Sequence, residues 1–250
     1  PVSNRTEPGS AGSSFLSSLD DSRQPWRLAF IVLACIVVTA AFLIFKASLS
    51  RELSATALLE RAALAEQATQ KTPDRIGHRY INLEERRSAE GAIVARRKIE
   101  LWQHNANGNS ARRLYDDGNH LIAGAWQKSD GARTVFHHSS KPRSGTAVAA
   151  PVDLLLNLED IWQLEPSSQS FRSLIGEPAA AQVEERSTTY VLTSEHTRSI
   201  GASRLLKATL TLNKSDLHAI EQTLLVQRGD ELREYRFVEA SAELLPEKAV

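Results

Sequence analysis

The sequence predicts an α+β domain with a curved antiparallel sheet, a helical insertion and one preceding transmembrane helix. Three observations support this prediction. A long uncharged apolar run stands near the N-terminus, two groups of short segments alternate apolar with polar residues, and a stretch of helical periodicity separates the two groups. Around eight strands and two or three helices are therefore expected, with the insertion covering one face of the sheet.

The apolar run is residues 26–47, WRLAFIVLACIVVTAAFLIFKA. The 18 uncharged residues between Arg27 and Lys46 would extend ~27 Å as an α-helix, close to the hydrocarbon thickness of a bilayer. Trp26, Arg27 and Lys46 stand where interfacial anchors are expected. The run is therefore predicted to be a transmembrane helix. A cleaved export signal is the main alternative, because small residues follow Lys46.

Four parts of the chain are predicted. Residues 1–25 form a flexible tail rich in Ser, Gly and Pro, residues 26–47 span the membrane, residues 48–72 form a juxtamembrane helix, and residues 73–250 form an extracytoplasmic domain. Basic residues flank the span equally on both sides. A short inside tail with a large outside domain is the commoner arrangement. We therefore expect the protein to lie in the cytoplasmic membrane with its large domain outside the cytoplasm. The chain contains no methionine, and residues upstream of Pro1 are expected.

The period of the pattern changes from helical to two at Arg75. Short turn signals such as Asp130-Gly131 separate the alternating segments, which indicates antiparallel neighbours. The segment 153–166 is predicted to be a helix with Asp153 as its N-cap. A second, shorter helix is expected to begin after Ser167 or Ser168 and to end at Gly176.

Composition and motifs favour binding over catalysis. The formal net charge is zero, so the chain lacks the basic excess that is typical of nucleic-acid-binding proteins. The single cysteine, Cys35, excludes an intrachain disulfide and a cysteine-based zinc site. His137 and His138 are adjacent on a predicted strand and would point to opposite faces. No nucleophile elbow or phosphate-binding glycine loop is present. We therefore predict no catalytic residues, no metal site, no cofactor and no enzyme activity.

Three segments carry a resemblance to a known family. ALLERAALAEQ resembles the opening helix of the LolA/LolB-like fold, YDDGNHLIAGAW resembles its aspartate-glycine hairpin, and ATLTLNKSDLHAIEQTLLVQRGDELREYRF resembles its closing hairpins. That fold also forms the N-terminal domain of RseB-like regulators. The likeness covers residues 54–243 and rests on the order of elements. The tail, span and outer domain together resemble membrane-anchored anti-sigma factors. The inside segment of those proteins often carries a zinc-binding motif, and this sequence has no such motif before Leu28.

The resemblance implies a half-open barrel with an apolar concavity beneath its helices, which in relatives holds acyl chains or senses lipoproteins. Alternatively, the same side chains fill a packed core. The residues that would line the cavity are Tyr80, Trp102, Trp126, Phe136, Leu155, Trp162, Phe171 and Leu210.

The apolar run predicts a single-pass membrane protein, and the resemblance implies that it has a periplasmic sensor or binding domain, acts in envelope signalling and is related to anti-sigma factors. Its expected partners are the membrane, a sigma factor or another regulatory protein, and a lipid or lipoprotein. A membrane-tethered lipid or lipoprotein carrier or chaperone and a structural envelope scaffold are the alternatives. An open apolar cavity would favour a carrier or sensor, whereas a packed interior would favour a scaffold.

Overall fold

A computed structural model describes residues 54–70, 75–87, 91–138, 140–145 and 149–246. The predicted tail and transmembrane helix, with Trp26, Arg27 and Lys46, lie outside the described residues. Within the described ranges, no helix combines the length and the apolar character that a membrane span requires.

One antiparallel sheet forms the framework of the described domain. The strands follow the order β6-β5-β4-β3-β2-β1-β12-β11-β10-β8-β7, and β9 pairs with β10 beside β8. The first strand therefore pairs with the last one near the middle of the sheet. The strands are β1 (Arg75–Arg86), β2 (Ile93–His104), β3 (Ser110–Tyr115), β4 (Leu121–Gln127), β5 (Arg133–His137), β6 (Arg143–Gly145), β7 (Gln182–Glu185), β8 (Thr189–Ser194), β9 (Arg198–Ile200), β10 (Ser203–Asn213), β11 (Ala219–Arg228) and β12 (Glu231–Pro246).

The predicted antiparallel sheet is confirmed, with more strands than the eight expected. Part of the excess arises because the segment predicted as one strand after Gln182 folds back on itself as the β7–β8 hairpin. The amide of Arg186 donates to the carbonyl of Thr189 at 2.9 Å and closes that turn. The short strands β6 and β9 add the rest.

One face of the sheet carries the hydrophobic core, and the helices cover that face. Along β10, Ala208, Leu210 and Leu212 alternate with more exposed residues and are at most 1% exposed. Side chains on a strand point alternately to the two faces, so the intervening residues form the outer face. We call these the core face and the outer face.

The first helix, α1 (Ala55–Gln70), belongs to the core. Ser54 caps it, because its hydroxyl oxygen accepts a hydrogen bond from the amide of Ala57 at 3.2 Å. Leu58, Leu59 and Ala62 lie on one side of the helix and are no more than 1% exposed. The helix is therefore part of the same folded unit as the sheet. The sequence-based prediction instead placed residues 48–72 outside the domain, as a juxtamembrane helix.

The insertion between β6 and β7 contains the predicted short helix, α2 (Ser168–Ile175), and a 3₁₀ helix, Pro178–Ala180, follows it before β7. The Ser167 side chain accepts a hydrogen bond from the amide of Ser170 at 3.3 Å, which confirms the N-cap. The helix ends at Gly176, whose φ of 73° suits glycine, as expected.

The longer predicted helix over 153–166 is wrong. The structure has two 3₁₀ helices instead, Asp153–Leu155 and Leu158–Gln163. Asp153 is a residue of the first and not its N-cap. Asn157 has an extended backbone between them, with φ of −125° and ψ of 98°, which lies outside the helical region and divides the segment in two.

Candidate functional site

Half of the residues predicted to line an apolar cavity are core residues. Leu155, Trp162, Phe171 and Leu210 are each at most 1% exposed and pack in one continuous cluster. The space that these side chains would have bordered is therefore occupied by them, as close packing requires.

The other half lie on the outer face of the sheet. Tyr80, Trp102, Trp126 and Phe136 each follow or precede a residue that packs into the core, so strand alternation directs them away from it. The eight residues do not surround a common cavity. Strand alternation, and not the size of the ring, decides the direction of these four aromatic side chains.

Polar residues of the core face come together at one edge of the insertion. Arg79 on β1, Arg112 on β3 and Arg133 on β5 all reach the backbone or side chains of residues 163–166. We call these three residues the arginine cluster. Arg79 and Arg112 share one cross-strand row, with Leu101 between them.

Arg112 joins the sheet to the end of the second 3₁₀ helix. Its guanidinium donates to the carbonyl oxygens of Gln163 and of Leu164, the latter at 3.1 Å, and forms an ion pair with Glu165 at 3.2 Å. Burial lowers the pKa of Arg112, and the positive charges of Arg79 and Arg133 lower it further, whereas Glu165 raises it. Arg112 is therefore a buried cation held by two carbonyl oxygens and one carboxylate.

Arg79 links two carboxylates at the same place. It pairs with Glu165 at 3.2 Å and with Glu239 of β12 at 2.6 Å. The ring nitrogen Nε2 of His218 lies 2.7 Å from Glu239. This hydrogen bond raises the pKa of His218 against the effect of burial. Burial raises the pKa of Glu239, but the bond to His218 and the charge of Arg79 outweigh it and lower that pKa.

Arg133 has a weaker set of partners among the described residues. Its guanidinium donates to the side-chain oxygen of Gln163, a neutral amide. Gln163 in turn donates to Asp160 at 2.9 Å, and Asp160 also pairs with His137 at 3.0 Å. Burial lowers the pKa of Arg133, opposed by the charge of Asp160. No cluster of metal-ligating side chains occurs within the described ranges, and His137 is held by its hydrogen bond to Asp160.

Two cavities flank the arginine cluster. One of about 340 Å³ is bordered by Arg112 and Arg133, with the apolar side chains of Leu101 and Leu154 beside them. The other, of about 330 Å³, lies between α1 and the ends of β1 and β12, and Arg79 and His218 border it. Both volumes lie at the lower end of the range of small-molecule sites. Such a site can hold an anionic group through charge-assisted hydrogen bonds.

The position of Arg112 in the sequence contains a signal for its burial. Arg112 stands two residues before Leu114, so both belong to the same face of β3, and Leu114 is buried. An arginine in register with a core residue indicates a buried cation with a specific role. The neighbouring Arg113 points outward and pairs with Glu100 at 3.3 Å.

No protein-family model matches the chain, and neither does any curated protein. Solved structures similar to it include the LolA superfamily that the sequence resembles. A LolA superfamily protein from Nitrosomonas europaea is 13% identical with a TM-score of 0.35, covering 78% of this chain and 96% of that one. A DUF1329 family protein from Desulfovibrio piger is 10% identical with a TM-score of 0.39, covering 76% and 92%.

The Pseudomonas aeruginosa MucA/MucB complex is 14% identical with a TM-score of 0.39, covering 76% of this chain and 56% of that chain. These scores are too low to support an inference about function, which must come from the geometry of the site.

Proposed function

We propose that the described domain is the extracytoplasmic binding module of a single-pass protein of the cytoplasmic membrane, and that it acts in envelope signalling. The observation that carries this proposal is the 340 Å³ cavity beside Arg112 and Arg133. Of its described lining residues, two are arginines and one, Glu165, is a carboxylate. An anionic group on a ligand or a partner protein would complete the charge balance of this site.

Binding would act through the insertion. A ligand carboxylate or phosphate would replace the neutral amide of Gln163 as the partner of Arg133, because charge-assisted hydrogen bonds are roughly twice as strong as neutral ones. The residues that follow Gln163 lead directly into α2, and Glu66 of α1 accepts hydrogen bonds from Ser167 and Ser168. Movement of residues 163–168 would therefore displace α1 through these hydrogen bonds.

The helix α1 follows the predicted transmembrane segment 26–47 in the chain. We propose that Trp26, Arg27 and Lys46 anchor this segment. We also propose that α1 transmits the effect of ligand binding from the domain to the membrane-spanning segment. The partner would be an anti-sigma-related regulator or a sigma factor that contacts the tail 1–25. We expect no catalysis, because Glu165, Glu239 and Asp160 are all engaged in ion pairs that hold the fold.

The test is affinity purification of the full chain from native membranes, with identification of partners by mass spectrometry. Arg133→Gln should lose the specific partner or ligand, while Arg204→Gln should retain it, because Arg204 is an exposed arginine on β10 outside the cluster. Recovery of a transcription regulator supports the signalling role. Recovery of envelope proteins alone, unchanged by Arg133→Gln, would contradict it.

A structural scaffold is the second candidate, and the packed interior favours it. Leu155, Trp162, Phe171 and Leu210 fill the space that a carrier would need for an acyl chain. Native mass spectrometry of the full chain separates the possibilities. A co-purifying lipid would favour the tethered carrier, whereas protein partners that ignore the arginine cluster would favour the scaffold.

A further inference from the structure

The outer face of β1–β4 carries an aromatic patch away from the core. It comprises His78, Tyr80, Trp102, Tyr115 and Trp126, which we call the outer aromatic patch. The His78 and Trp102 rings stack with centroids 3.7 Å apart, and Trp126 is 37% exposed. A concentration of partly exposed aromatic side chains on one surface marks an interaction site more often than chance exposure does.

The two indoles are set apart by a small residue. Trp126, Ala111 and Trp102 occupy one cross-strand row on β4, β3 and β2. Because neighbouring strands are about 4.8 Å apart, the backbones of the two tryptophans lie roughly 9–10 Å apart, with Ala111 between them. Trp126 lies over Gly124, where an added Cβ would stand 2.6 Å from its Cη2 atom. Gly124 therefore allows the indole to lie along the sheet.

A buried carboxylate fixes the remaining rings. Glu100 accepts hydrogen bonds from the hydroxyls of Tyr80 at 3.1 Å and Tyr115 at 2.9 Å, and lies 3.2 Å from Nε2 of His78. Burial raises the pKa of Glu100, but its hydrogen bonds to Tyr115, His78 and Tyr80 outweigh that effect and lower it to about 2. The patch is therefore pre-organised, which reduces the entropic cost of binding.

A polar cavity of about 460 Å³ adjoins the patch. Lys98 connects the two, because its ammonium lies 5.4 Å from the Tyr80 ring centre and 5.1 Å from that of Tyr115 while donating to Asn119 at 2.6 Å. The polar lining balances three cations against three carboxylates and adds two amides; these residues are Arg96, Arg97, Lys98, Glu84, Asp116, Asp117, Asn82 and Asn119.

The charges of this surface are largely paired. Arg96 binds Glu84 at 3.2 Å, and Arg113 binds Glu100 at 3.3 Å. A polyanion or an anionic lipid would meet Asp116 and Asp117 without a matching excess of cations. Hydroxyl groups, which both donate and accept, suit this mixture of side chains, and flat aromatic rings suit the apolar faces of sugar rings.

We propose that the outer aromatic patch and its adjoining cavity bind a neutral oligosaccharide chain. The patch runs along β3 from Ala111, opposite Trp126, to Tyr115, a rise of roughly 13 Å that exceeds one pyranose ring, so the site engages more than one sugar. Its rings lie on the outer face, and Trp126 alone of the patch also borders the 340 Å³ cavity beside Arg112 and Arg133. The sugar site is carried by the outer aromatic patch and the cavity beside Lys98, and not by the arginine cluster.

The test is saturation-transfer NMR on the full chain in a detergent whose head group contains no sugar. The probes are maltotriose, cellotriose and chitotriose, with glucose as the single-ring comparison. At least one trisaccharide should give a saturable signal and bind more tightly than glucose. Trp126→Ala should weaken it about tenfold, the scale of one lost aromatic contact. Trp126→Phe should recover part of that loss.

Arg204→Gln is the matched control, because Arg204 is an exposed arginine on β10 that borders neither the patch nor its adjoining cavity, and it should leave the sugar signal unchanged. Asp117→Asn should weaken binding without touching an aromatic ring, and this variant guards against a folding effect of the Trp126 change. The proposal is overturned if none of the trisaccharides gives a saturable signal up to about 10 mM, where millimolar binding would be evident. It is also overturned if Trp126→Ala and Asp117→Asn both bind like the unaltered chain.

Discussion

The carboxylate of Glu66 accepts a hydrogen bond from the amide of Ser168 at 2.7 Å and joins α1 to the first turn of α2. Its other oxygen accepts from the Ser167 hydroxyl at 3.1 Å. A negative charge at a helix N-terminus satisfies free amides and complements the helix dipole. The bond connects two helices that are separated by about a hundred residues of sheet and insertion.

Replacing Glu66 by alanine is expected to destabilise the fold by about 1–2 kcal/mol, the usual cost of losing an N-terminal cap. Urea unfolding followed by circular dichroism measures the change. Glu60→Ala is the matched control, since Glu60 is an exposed glutamate on the same helix. Equal midpoints for the two variants would show that the contact contributes nothing.

Arg112→Ala is expected to cost about 2–3 kcal/mol. The change removes two hydrogen bonds to the insertion and one partner of Glu165, although Arg79 still pairs with that carboxylate. The next residue, Arg113, supplies the control. Its side chain points outward and is 41% exposed in its ion pair with Glu100. Arg113→Ala should cost less than about 1 kcal/mol. A reversed order would contradict the assignment of the two faces.

The pair of His218 and Glu239 predicts a pH-dependent part of the stability. The folded-state pKa of His218 is raised above its ordinary value of 6.5 by the bond to Glu239. Its contribution is therefore complete below pH 6.5 and is lost as the pH rises through the folded-state pKa. The difference in unfolding free energy between the unaltered chain and His218→Gln should shrink over that rise.

Denaturant unfolding at a series of pH values measures the His218 effect. The exposed His196, changed to Gln, should show no such trend. A gap between the unaltered chain and His218→Gln that stays constant above pH 6.5 would exclude the linkage.

Gln222 is a fully buried amide on the core face, between Leu210 of β10 and Phe237 of β12. Neither of its side-chain polar atoms has a hydrogen-bond partner within the described part of the chain. Burying such a group without partners costs about 1–3 kcal/mol, so Gln222→Leu is expected to raise stability by a similar amount. Thermal unfolding checks this, and a lower midpoint would show that the amide is satisfied in solution.

Gly124→Ala is expected to move the Trp126 ring, because the new Cβ would stand within 2.6 Å of it. Near-ultraviolet circular dichroism should report the altered indole environment, and the trisaccharide signal should fall. Gly145→Ala is the matched control on another strand, since nothing lies within 4 Å of its Cβ position. Unchanged sugar binding in Gly124→Ala would argue that the orientation of Trp126 is irrelevant.

Much of the fold was predictable because local patterns specify local structure. The period of two and the turn signals located the strands from Arg75 to His137 within a few residues, and the Ser167 cap and Gly176 terminus set α2. The prediction of one helix over 153–166 was wrong because its leucine-rich pattern fits any helix, whereas the extended backbone of Asn157 divides the segment into two 3₁₀ helices.

The candidate site was less predictable. Arg79, Arg112 and Arg133 are far apart in the chain, and only strand register brings them to one edge of the insertion. The aromatic residues were assigned to a cavity by their size. Their neighbours Ile81, Leu101 and Ala125 show by alternation that Tyr80, Trp102 and Trp126 face outward.

The sequence by itself determined the element types, the antiparallel pairing of neighbouring strands and the amphipathic character of α1, since these depend on contacts between residues close in the chain. Only the tertiary structure decided that β1 pairs with β12, that four predicted cavity residues fill the core, and that the arginine cluster meets residues 163–166. These outcomes depend on long-range packing, in which many alternative registers satisfy the same local pattern and the complementarity of buried side chains selects one of them.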